Sequence, residues 1–153
     1  MGTTKYIHYG SSKYEALKFI PIKNEPIEVK PQGGLWASAV DSQFGWKDWC
    51  EKTAIFPERL YESFLFTLKE DTNILYINSR NDMDGLPRNK TLELSFETEL
   101  IWISLDFEKI LADGIDAIQL NLSNDDDLYF VLYGWDCDSI LIMNKDIIVP
   151  EVL

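Results

Sequence analysis

Between Lys30 and Cys50 the chain concentrates a glycine pair, three tryptophans and a run of small residues: Lys-Pro-Gln-Gly-Gly-Leu-Trp-Ala-Ser-Ala-Val and then, three residues later, Phe-Gly-Trp-Lys-Asp-Trp-Cys. Gly33-Gly34 allows a left-handed backbone or a close approach to a ligand. Leu35–Val40 alternates large and small side chains, the pattern of a short strand. Trp46 and Trp49 stand three apart, on one face of a helix that begins near Gln43. A strand tryptophan and a helix tryptophan then form two aromatic surfaces that can hold a flat ring between them. Packing of all three tryptophans into a hydrophobic core is the competing account.

The rest of the chain reads as short elements. Lys5–Tyr9 is a strand ended by Gly10-Ser11-Ser12, and Ser11 or Ser12 caps a helix through Lys13–Phe19. Pro21, Pro26 and Pro31 make residues 20–32 an extended connection. Tyr61–Leu68 and Asn73–Asn78 are strands joined in hairpin fashion through Glu70-Asp71. Residues 79–91 form a polar loop with room for a helical turn; Thr91–Ser95 is a weak strand, and Glu99–Ser104 suits strand or helix. Asp106 caps a helix over Phe107–Ala112 that Gly114 stops. Asp116–Leu122 is a strand, and the acids of Ser123–Asp127 favour the start of a helix over Leu128–Tyr133. Ser139–Met143 is the last strand, after which Asn144-Lys145-Asp146 turns into the tail. Six or seven short strands with small helices between them indicate an α+β protein, one domain over residues 1–153 with mixed, split β-sheets.

Charge narrows the partners. A net charge of −12 repels nucleic-acid backbones and anionic membranes on average. Residues 1–32 nevertheless carry five lysines against three glutamates, which places any anionic ligand near the N-terminal third. No apolar run reaches the roughly 20 residues that span a bilayer, and charged residues interrupt residues 1–20 where a signal peptide has its apolar core. Cys50 and Cys137 are far apart and lack metal-ligand spacing. A reduced, cytoplasmic protein is the expectation.

Candidate chemistry lies in three places. His8, the single histidine, leaves the first strand in Tyr-Ile-His-Tyr-Gly-Ser. It suits a hydrogen bond to a sugar hydroxyl or general-base work, or else a half-buried bond to backbone. One histidine makes a two-histidine zinc site impossible, and no metal is expected. The tryptophan stretch is the second place. The third is Tyr133–Ile142, where Asp136 and Asp138 stand at i and i+2 at the mouth of an apolar strand. A carboxylate there loses solvation unless it is partnered, so it is either used or caps a turn. Asp125–Asp127 nearby raises an oxygen-rich cation site, but the Asp-x-Asp-x-Asp-Gly pattern is absent.

These three places, in this order, resemble the ADP-ribosyltransferase superfamily, in particular the branch of diphtheria toxin and the poly(ADP-ribose) polymerases. His8-Tyr9-Gly10-Ser11 is similar to that family's first-strand His-Gly-Ser/Thr motif. Gly34-Leu35-Trp36-Ala37-Ser38 is similar to its second-strand motif, and Trp46 or Trp49 to the stacking aromatic on the following helix. Asp138–Asn144 is similar to the strand opened by the catalytic glutamate. The departures are Tyr9 between His8 and Gly10, tryptophan in place of tyrosine, and aspartate in place of glutamate. The chain also resembles small bacterial and phage proteins that share Gly-Gly-Leu-Trp-Ala-Ser and Tyr-Gly-Trp-Asp-Cys-Asp-Ser.

The resemblance implies NAD as substrate and a mono-ADP-ribosyltransferase acting on a protein or nucleic-acid acceptor, with a toxin or phage–host conflict role. It implies nicotinamide stacked between Trp36 and Trp46 or Trp49, with its carboxamide on the Gly10 backbone. His8 or Tyr9 would hold the adenosine ribose, and Ser38 would support the nicotinamide side. Asp138 would stabilise the oxocarbenium-like charge, and Lys13, Lys18 or Lys30 would meet the pyrophosphate. Residues 79–99 would carry acceptor contacts. A catalytically weak nucleotide-binding module and an acidic protein-interaction module on the same scaffold are the alternatives.

Overall fold

The computed structural model describes residues 3–26, 29–89, 103–132 and 134–152. Among them seven strands form one sheet: β1 Tyr6–Tyr9, β2 Leu35–Ala39, β3 Ser63–Leu68, β4 Ile74–Ile77, β5 Ala117–Leu120, β6 Ser139–Ile142 and β7 Ile148–Pro150. Among the described residues three short α-helices accompany them: α1 Trp46–Thr53, α2 Phe107–Ala112 and α3 Asp126–Val131. The sheet order is β4-β5-β6-β2-β1-β3-β7. Every pairing is antiparallel except β4 with β5.

The α+β class holds, with one continuous sheet rather than split sheets. The period-2 side-chain alternation covers both of its faces. Ile140 and Ile142 of β6 pack with Tyr6, Ala37, Phe66 and Ala117 on one face. Leu141 and Met143 face the other way, into a larger core with Ile118, Leu120, Phe107 and Trp135. All four β6 residues are therefore buried, which is why Ser-Ile-Leu-Ile reads as a continuous apolar run rather than an alternating strand.

Three local expectations differ from the structure. Glu70-Asp71 does not close a hairpin: β3 lies between β1 and β7, while β4 sits at the opposite edge beside β5. A turn signal encodes a chain reversal but not a strand's partner, and Ile74-Leu75-Tyr76-Ile77 finds its apolar neighbours on β5 instead. The helix over Lys13–Phe19 shrinks to a single 3-10 turn at Ala16–Lys18. No side chain caps that turn, and Leu17 within it is fully exposed while Tyr14 and Phe19 on either side reach the core, so the turn itself has no buried apolar contact to extend it. The tail, in turn, supplies a strand, because Ile148 and Val149 pair with β3.

Other expectations hold. Asp106 caps α2 by accepting from the Lys109 N–H at 3.1 Å. The acids of Ser123–Asp127 do open a helix, but α3 begins at Asp126 rather than Leu128, with Asp125 accepting from the Asp127 N–H at 3.0 Å. The expected strand over Thr91–Ser95, most of the Glu99–Ser104 segment, and Tyr133 lie outside the described residues. No helix among the described residues is long and apolar enough to cross a membrane.

Candidate functional site

The three sequence segments that carry the chemistry become neighbours: β6, β2 and β1 are adjacent in the sheet. β1 and β2 pair at Tyr6–Ala39 and Ile7–Ser38 only. Beyond that point the Trp36 carbonyl accepts from the His8 imidazole, Nδ1–H to oxygen at 2.6 Å. A side chain has taken an acceptor that a continued ladder would use, so the strands part. A cavity of about 380 Å³ opens there, within the range of small-molecule sites.

Its walls come from four regions. His8 and Tyr9 stand on β1, Gly34 and Trp36 at the start of β2, Trp46, Trp49 and Cys50 on α1, and Asp136 before β6. Lys30 closes one side. Phe56 and Arg59 complete the rim, and the sequence reading assigned neither of them, nor Cys50, to a site. They arrive because Ala54 (φ +56°) and Phe56 (φ +52°) both adopt left-handed backbone after α1 and turn the chain back. Neither is glycine, so no residue-type signal marks that reversal. A second cavity of about 180 Å³ shares His8 and Gly34 with the first and adds Ser11, Lys13 and Lys18.

The glycine pair has a packing reason. Gly33 and Gly34 have φ of +76° and +73°. A Cβ on Gly33 would lie 2.2 Å from the Pro21 carbonyl oxygen, and one on Gly34 2.7 Å from Leu141 Cδ1. The backbone approaches its own chain at these positions, and Gly34 N–H donates to the Ile20 carbonyl at 2.8 Å.

The tryptophans do not form the expected parallel slot. Trp36 and Trp46 meet at 85° with centroids 6.5 Å apart, and Trp46 meets Trp49 at 84°. Such edge-to-face contacts are the favoured aromatic geometry, because ring edges are positive and faces negative. Trp36 also abuts the buried Trp135 at 4.8 Å, so core packing and cavity lining share this ring. The Lys30 ammonium lies 4.7 Å from the centroids of both Trp36 and Trp46. It is also 3.9 Å from the Asp136 carboxylate. Burial pushes the Asp136 carboxyl above its ordinary pKa, and Lys30 opposes that shift. Burial also lowers the His8 pKa, against the pull of its bond to the Trp36 carbonyl and with the repulsion of Arg59. Burial raises Tyr9, and the carboxylates of Asp48 and Glu51 add to the effect.

Asp138 and Ser38 lie in the protein rather than on the cavity wall. Asp138 is 4% exposed. Its carboxylate accepts from Ser123 N–H at 3.0 Å, Ser123 Oγ–H at 2.6 Å and Phe44 N–H at 3.2 Å. Ser38 Oγ donates to the Asp138 carbonyl at 2.8 Å and accepts from Trp46 N–H at 3.0 Å. These bonds fasten β2 and β6 to the N-terminus of α1, whose Gly45 N–H is satisfied by Asp48 at 2.9 Å. Gly10 N–H likewise donates to the Glu62 carbonyl at 3.0 Å. Both oxygens of Asp138 and the donor of Gly10 are thus already bonded within the protein. Ser11 lines the second cavity.

Cys50 and Cys137 are free, buried thiols, and burial raises the pKa of each. Among the described residues no three of His, Cys, Asp and Glu gather into a metal-ligating group. The Asp125 carboxylate is engaged by the N–H groups of Arg80 and Asp127. No protein-family model, curated protein or solved structure matches the chain.

Proposed function

We propose that the protein is an NAD-dependent ADP-ribosyltransferase that uses the cavity between β1, β2, α1 and the segment before β6. The observation that carries this reading is the convergence of His8, Tyr9, Trp36, Trp46 and Trp49 on one cavity with a carboxylate, Asp136, in its wall. The adjoining second cavity, with Lys13 and Lys18, gives a dinucleotide room to continue toward cationic groups. Both sites draw on the lysine-rich N-terminal third of an otherwise acidic chain.

In this reading the acid that faces the reacting bond is Asp136, and Asp138 is a positioning residue. Asp136 stabilises positive charge as the nicotinamide–ribose bond breaks, an effect worth several kcal/mol when the donor or acceptor is preorganised and shielded from water. His8 commits Nδ1–H to Trp36 and keeps Nε2 as an acceptor for a ribose hydroxyl. Trp36, Trp46 and Trp49 supply aromatic surface for the nicotinamide ring.

Nicotinamide release from NAD, measured with and without cell extract as a source of acceptor, tests the proposal. Release by the native protein and its loss in Asp136→Asn and Trp36→Ala support it. Absence of release in both conditions, with no NAD-induced thermal shift, rejects it. One observation favours a second reading, a nucleotide-binding module without turnover: the Asp138 carboxylate is fully engaged by Ser123 and Phe44. An NAD-induced thermal shift without nicotinamide release is its signature.

A further inference from the structure

The grouping of Lys30, Trp36, Trp46 and Asp136 has the form of a cation-binding box with its cation already inside. An ammonium 4.7 Å from two mutually perpendicular indole rings and 3.9 Å from a carboxylate is held by two ring faces and one opposite charge. Lys30 and Asp136 are each only 27% exposed at the side chain, so water screens them incompletely. All four residues line the larger cavity, so a ligand can reach the place where the ammonium sits.

We propose that this box is a binding site for an organic cation, and that Lys30 is an internal competitor that an incoming cation must displace. The inference rests on the same cavity as the proposed function but requires no turnover. It specifies what the cavity selects, a positively charged head group held between Trp36, Trp46 and Asp136. A pyridinium ring fits that description, whereas a neutral ring of the same size forgoes the attraction to Asp136 and the indole faces. The other charged groups on the wall are Arg59, whose guanidinium stands 4.6 Å from the Phe56 ring centroid, and His8, which burial holds toward its neutral form. Loss of the Lys30 charge therefore moves the balance of the cavity toward a cation.

The test compares two probes that differ in charge, 1-methylnicotinamide and nicotinamide, by quenching of intrinsic tryptophan fluorescence. The native protein is expected to bind both weakly. Lys30→Met, which keeps the apolar stem and removes the competing charge, is expected to bind the cationic probe roughly 10-fold more tightly than the neutral one. Lys30→Arg retains a resident cation and should behave as the native protein does. Equal affinity of Lys30→Met for both probes overturns the proposal, as does an affinity for the cation no higher than native. If Lys30→Met does not fold, Lys30→Gln carries the same comparison. Charge preference without NAD turnover rejects the proposed function and leaves the cation site standing; turnover without charge preference does the reverse.

Discussion

The Asp138 carboxylate and Ser123 are bonded twice, through the serine N–H at 3.0 Å and its hydroxyl at 2.6 Å. Asp138 immediately precedes β6, and Ser123 follows β5. With Phe44 N–H as a third donor, one buried carboxylate joins neighbouring ends of the adjacent strands β5 and β6 to the loop that leads into α1.

Removal of that carboxylate is a stability experiment first. Asp138→Ala removes a buried carboxylate that accepts from two part-buried N–H groups and a hydroxyl and is expected to cost about 3 kcal/mol. Ser123→Ala removes one hydroxyl donor and is expected to cost about 1 kcal/mol. The double variant should fall short of the sum, since the two changes remove one shared interaction. Urea unfolding of the four proteins measures this directly, and additive losses would show that the bond contributes nothing of its own.

Asp136 should separate from Asp138 in the opposite sense. It is paired with Lys30 at the long distance of 3.9 Å and is partly exposed, so Asp136→Asn is expected to change stability by less than about 1 kcal/mol. If the proposed function is right, the same variant loses nicotinamide release. Unfolding curves and NAD turnover on the pair of aspartate variants would then show large effects on different axes. Full turnover by Asp136→Asn would remove the acid from the proposed site.

His8 predicts a pH dependence with a definite sign. Its pKa is lowered in the folded protein, so the unfolded chain binds the proton more readily in the window below the ordinary value of about 6.5. The His8 contribution to stability is therefore complete above that value and declines as pH falls below it, until the folded-state group also titrates. As the single histidine of the chain, its ring C–H resonance follows one titration. A midpoint at or above 6.5 would contradict the burial of the ring. His8→Gln should flatten the corresponding part of the stability–pH curve relative to the native protein.

Glycine replacements should rank by space. Gly33→Ala brings a Cβ to 2.2 Å from a backbone oxygen that no rotamer change can move, so a loss of about 3 kcal/mol or more, or failure to fold, is expected. Gly114 has φ +97° but open surroundings, so Gly114→Ala is expected to incur only the left-handed backbone penalty of about 1–2 kcal/mol. Thermal denaturation of both variants checks the order; a reversed order would mean that the Ile20–Ile22 segment yields to the added methyl group.

Much of the strand content was legible from local pattern. Tyr6–Tyr9, Leu35–Ala39, Ser63–Leu68 and Ser139–Ile142 follow from β-rich runs bounded by glycine and polar turns. So did the cap at Asp106, because a side-chain acceptor next to the first helical turn acts within a few residues. Partner choice was not legible. Nothing local in Ile74–Ile77 distinguishes a hairpin with β3 from the parallel pairing with β5 that the structure has, since both bury the same side chains.

The same division runs through the candidate site. The sequence by itself determined which residue types are present: a lone histidine beside a glycine, a tryptophan cluster after a glycine pair, and two aspartates ahead of an apolar strand. Strand order then made the three segments neighbours, and tertiary packing assigned the roles within them. Two aspartates two residues apart on one extended segment look equivalent to any pattern. Only the surrounding donors distinguish them: Ser123 and Phe44 enclose Asp138, while Lys30, reaching over from before β2, leaves Asp136 at the cavity. Burial and hydrogen bonding depend on groups distant in the chain, so that distinction belongs to the folded protein alone.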